Sequence, residues 1–93
     1  MDFPFKEEKI DQYNFIRTFP ADVDEMDLIW HADKENRIIT VLEGNGWKFQ
    51  FDEELPIEMT EGLSISIFKG RIHRVIKGHG QLKIELQMLS MTV

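Results

Sequence analysis

The chain of 93 residues has no cysteine, only three prolines and no long apolar run. Without cysteine there is neither a disulfide framework nor a thiolate metal site, which agrees with a reducing compartment. No stretch approaches the ~18 apolar residues of a membrane-spanning helix. The opening MDFPFKEEKI has neither the basic segment nor the apolar run of a secretory signal. The expectation is a cytoplasmic protein without a membrane partner. Basic residues are also scarce: 11 Lys and Arg stand against 17 Asp and Glu, a net charge of -6. That balance repels phosphate backbones and argues against nucleic acid as a partner. Helical periodicity is nearly missing, and so are a P-loop, a dinucleotide-binding glycine fingerprint, a nucleophile elbow and a His-Glu-x-x-His pair.

What the chain does have is enough apolar matter for one core: 42% hydrophobic residues, with seven Phe and two Trp. Its length suits a single domain over residues 1–93, with no linker dividing it. Short alternating runs bounded by turn residues recur every eight to twelve positions, the pattern of an all-β protein. The spacing predicts strands over Tyr13–Thr18, Asp27–Ala32, Arg37–Leu42, Trp47–Phe51, Ile57–Thr60, Leu63–Ile67, Ile72–Ile76 and Gln81–Leu89. Gly44-Asn45-Gly46 and Gly78-His79-Gly80 read as tight hairpins, and Asp22-Val23-Asp24-Glu25 as a solvated connection. Trp47, Phe49 and Phe51 share one strand face, as do Leu63, Ile65 and Ile67, and Leu82, Ile84, Leu86 and Met88.

Two segments carry chemistry. His31 and Asp33 stand two residues apart, which on a strand puts an imidazole and a carboxylate on one face, and His73 follows in a second glycine-flanked segment. The first segment reads His31-x-Asp33, three residues, Arg37, six residues, Gly44. The second reads Gly62, five residues, Phe68-x-Gly70, two residues, His73, three residues, Lys77. In spacing these resemble the two motifs of the cupin family. There the first is His-x-His, three or four residues, Glu, six residues, Gly; the second is Gly, five residues, Pro-x-Gly, two residues, His, three residues, Asn. With the strands between and after them, the two cover roughly residues 27 to 89.

The resemblance implies a double-stranded β-helix, or jelly-roll, barrel of the small single-domain cupin kind, with its site in the lumen and a homodimer as the usual assembly. Exposed edges such as Tyr13–Thr18 would then pair across a two-fold axis. It also implies a divalent metal, zinc, iron, manganese or nickel, held by His31, Asp33 and His73, although the motif's second histidine is here Asp33 and its glutamate is Arg37. A guanidinium ~5 Å from a divalent ion opposes it by about 6 to 7 kcal/mol at an effective dielectric near 20. A metal site therefore needs Arg37 turned away or neutralised by Asp33, Glu35 or another acid. The alternative is a metal-free module in which Arg37, with His31 and His73, holds a small anion such as a sugar acid or carboxylate. A third reading is an inert, structural lumen. Glu35, Trp47, Phe49 and Gln50 are the further candidates for contact with a small-molecule ligand, Phe68 for packing over the barrel mouth, and Trp30 and Arg74 for the outer face. Whether the chain is an enzyme stays open at this level.

Overall fold

Alternation of apolar and polar side chains decides the sheet faces, and turn residues decide where the chain changes sheets. In the computed structural model, which describes residues 3–89, eight strands are present: β1 (Lys6–Lys9), β2 (Asn14–Phe19), β3 (Arg37–Asn45), β4 (Lys48–Phe51), β5 (Ile57–Glu58), β6 (Ser64–Ile67), β7 (His73–Ile76) and β8 (His79–Met88). They form a five-stranded sheet, β1-β2-β8-β3-β6, and a three-stranded sheet, β5-β4-β7. All pairings are antiparallel. The sheets meet face to face over one core, in which Phe19, Ile39, Val41, Ile65, Ile67, Leu82, Ile84 and Leu86 of the larger sheet oppose Trp47, Phe49 and Met59. No helix among the described residues is long and apolar enough to cross a membrane.

β3 pairs with β8 in one sheet while β4, which follows β3, pairs with β7, which precedes β8. The two chain segments thus run as one antiparallel ribbon that rolls from sheet to sheet, the defining feature of a jelly roll. This corrects the two expected hairpins. Residues 44–46 and 78–80 are the corner of that ribbon, where Asn45 still pairs with His79 before the sheets part. Backbones crowd there: a Cβ on Gly78 would collide with the backbone of Asn45, Gly46 and Trp47, and Gly46 has a φ of 73°.

Other expectations are corrected as well. Asp27–Ala32 is not a strand: Asp24 caps a 3-10 turn at Glu25–Asp27 through a bond from Met26 N (2.9 Å), and β structure resumes only as a single bridge between His31 and His73. Within the connection expected to be solvated, Val23 is buried in the core. β1, a Lys-Glu-Glu-Lys run without apolar alternation, covers β2. Tyr13–Thr18 is therefore not an exposed edge, and pairing through it across a two-fold is excluded. Phe68, expected over the barrel mouth, is 68% exposed.

Candidate metal centre

His73 opens β7 and is 4% exposed, between the rings of Phe49, stacked at 5.4 Å between centroids, and Phe51 at 6.5 Å. His31 reaches it through the bridge, with hydrogen bonds from His31 N to His73 O (3.0 Å) and from His73 N to His31 O (2.9 Å). The imidazole centroids are 4.4 Å apart. Asp33 is held by its own backbone, since Gly70 N donates to Asp33 O at 2.9 Å. In this way the loop carrying the second motif's glycine positions the first motif's carboxylate.

The ring nitrogens divide by role. Nδ1 of His31 lies 3.0 Å from Ile29 O, and Nδ1 of His73 lies 2.7 Å from Arg71 O. A carbonyl only accepts, so each Nδ1 carries the hydrogen, and in the neutral rings each Nε2 presents a lone pair. Those lone pairs face Asp33: His31 Nε2 is 3.9 Å from Oδ1 and His73 Nε2 is 3.3 Å from Oδ2. Asp33 Oδ2 is buried with no hydrogen-bond partner of proper geometry. One potential ligand atom from each residue therefore converges, all within 4.8 Å of one another, and with both rings neutral all three present lone pairs. Burial, the largest single influence on Asp33, raises its carboxyl pKa. A hydrogen bond from His73 and the charges of Arg37, His73 and His31 together outweigh it, so the group lies below its ordinary value and stays ionised at neutral pH; the histidine contributions are those of protonated rings, the state the site takes without a cation.

Arg37 does not oppose this arrangement unaided. Its Nε donates to Glu35 Oε1 at 2.8 Å, Nη2 also bonds that carboxylate, and Nη1 lies 3.4 Å from Asp33 Oδ1. With neutral imidazoles, Asp33 and Glu35 against Arg37 leave one net negative charge, the sign a cation needs.

His31, Asp33 and His73 line a cavity of about 580 Å³ between the sheets, walled by apolar side chains such as Phe19, Ile39, Phe49, Ile84 and Leu86. Of the other expected contact residues, Arg37 and Phe49 reach this cavity, while Glu35, Trp47 and Gln50 do not. Glu35 is spent on Arg37. Trp47 is fully buried behind the wall, its Nε1 donating to Gly80 O at 3.2 Å. Gln50 has the opposite parity to Phe49 and accepts from Arg74 Nε at 3.0 Å on the outer face, where Arg74 also lies over the Trp30 ring at 4.4 Å. Sequence reasoning missed Arg17, which also lines the cavity. Its parity with Phe15 and Phe19 was the available signal.

Solved structures share this architecture. Against a cupin domain from Bordetella pertussis Tohama I, the chain superposes with a TM-score of 0.62 at 15% identity, covering 97% of this chain and 99% of that one. The fold is the cupin fold. Against the DMSP lyase DddQ from Ruegeria pomeroyi DSS-3 the TM-score is 0.67 at 15% identity, over 86% of this chain and 39% of that one. For Fe(II) HppE it is 0.63 at 20% identity, over 82% and 41%. The chain thus spans less than half of these two larger proteins. No family model and no curated protein matches it in sequence. Identities this low carry the cupin fold and not the chemistry.

Proposed function

We propose that this cupin-fold chain binds one divalent first-row ion through His31 Nε2, the Asp33 carboxylate and His73 Nε2, and takes a small molecule into the adjoining cavity. The observation that carries the reading is the convergence of two imidazoles and one carboxylate within 4.8 Å, around a buried Asp33 Oδ2 that has no hydrogen bond of proper geometry. A buried acceptor left unpaired is costly, and a cation relieves it. Two histidines and one carboxylate form a donor set suited to iron, manganese, nickel or zinc, with coordination positions left over. The ion, when bound, supplies Lewis acidity toward an oxygen of the ligand.

The protein's own residues do the rest. The carbonyls of Ile29 and Arg71 fix both ring tautomers, the role usually played by partners behind metal-bound histidines. Glu35 keeps Arg37 from repelling the ion. The apolar wall excludes water from a bound molecule, while His31, with 46% of its side chain exposed, marks the side open to solvent. That Fe(II) HppE shares the fold supports an iron-compatible barrel. The metal-free alternative is not favoured, because Arg37 is already engaged by two carboxylates.

The test is a titration of chelator-treated protein with zinc, manganese, nickel and anaerobic ferrous iron, read by calorimetry and by metal content after desalting. The expected result is one ion per chain for at least one of these metals, lost in His31→Ala and His73→Ala. Uptake that stays substoichiometric for all four, or that survives both substitutions, contradicts the proposal.

A further inference from the structure

The inner face of β2 carries a cation where the pattern calls for an apolar residue. Phe15, Arg17 and Phe19 share parity, and their cross-strand partners Leu86, Ile84 and Leu82 are all buried. Arg17 therefore points into the cavity, with only 20% of its side chain exposed. Two contacts orient it. Its Nε donates to Glu7 Oε1 at 2.6 Å from the neighbouring strand, and the Phe5 ring lies under the guanidinium at 4.2 Å. The terminal Nη1 and Nη2 have no partner among the described residues. Neither is among the buried unpartnered polar atoms of the described residues, so both are open to the cavity and accessible to a ligand.

We propose that Arg17 is the anchor for a carboxylate on the cavity's ligand, held end-on by Nη1 and Nη2. The ligand class is then a small monocarboxylic acid with a largely apolar body. With Nε committed to Glu7, what remains is the end-on fork, which matches the two oxygens of a planar carboxylate. Glu7 beside it and Asp27 on the cavity wall add negative charge, so the guanidinium fork supplies the attraction for an anion by direct hydrogen bonds, and the surrounding charge weighs about twice as heavily against a phosphate dianion as against a monoanion. Strand spacing puts the α-carbons of Arg17 and Arg37 about 16 Å apart, two strands across and four residues along, so the two arginines address different parts of a ligand. The proposal rests on the metal-binding reading for the location of the ligand site, not for the anion contact.

The experiment is calorimetric titration with octanoate and with octanamide, on chelator-treated and on metal-supplemented protein. Octanoate is expected to bind about tenfold or more tightly than the amide, as for a hydrogen-bonded charge pair. The preference is expected in the chelated protein too, and to vanish in Arg17→Gln while the amide binds as before. Metal uptake with equal binding of acid and amide overturns the anchor and leaves the metal reading standing. Absence of metal uptake with the preference intact does the reverse. A preference that survives Arg17→Gln also overturns the anchor. Should that variant not fold, the guanidinium NMR signals of Arg17 in the wild type decide: they are expected to move with octanoate and not with octanamide, and unmoved signals overturn the proposal.

Discussion

Asp33 is the residue on which the site turns, and two predictions belong to it and its neighbour. Its carboxyl lies below the ordinary value in the fold, because His73, Arg37 and His31 together outweigh the effect of burial. Such a group contributes stability that is fully present above its unfolded pKa and is lost as pH falls through its folded one. In metal-free protein, denaturant melts should therefore show a wild-type advantage over Asp33→Asn that is present above about pH 4 and narrows below it, where an unfolded aspartate begins to protonate. An advantage that grows on acidification would reverse the assigned sign. Glu35 has a different duty: it neutralises Arg37. Glu35→Gln should lower metal affinity by about tenfold to a hundredfold, the usual scale for residues behind the ligands, with the same metal stoichiometry. That His31, Asp33 and His73 come together was legible in the sequence. The Glu35 contact was legible only as one of several acids near Arg37, because the loop between Asp33 and Arg37 does not follow strand parity.

At the level of elements, stripes such as Leu82, Ile84 and Leu86 made β8 legible, since one buried face imposes a period of two. The misses share a cause: neither β1 nor the His31 segment is placed by a hydrophobic stripe. β1 is a run of charges that pairs through its backbone. His31 is placed by one bridge to His73, after a 3-10 turn set by the Asp24 cap. The glycines at the ribbon corner were noticed for the wrong geometry, since a hairpin and a corner both demand residues without Cβ. A corner also demands close approach, and the two glycine types should differ on substitution. Gly78→Ala meets backbone on three sides and should cost about 2 to 3 kcal/mol or prevent folding. Gly62→Ala meets nothing within 4 Å and pays only for its φ of 87°, about 1 to 2 kcal/mol. Equilibrium denaturation of both variants checks the order.

For the molecule as a whole, the rolled ribbon brings together two histidines that are 42 positions apart and leaves between its sheets a cavity whose one wall holds them. The motif spacings made that meeting legible. The cavity's second cation was not, because Arg17 lies outside both motifs and is revealed only by the faces of the strands around it. A metal centre in the lumen would show in anomalous diffraction from crystals of metal-supplemented protein, with the element identified at its absorption edge. One peak is expected within about 2.0 to 2.2 Å of His31 Nε2, His73 Nε2 and an Asp33 oxygen. A lumen without a peak, or a metal bound only by other residues, would contradict it.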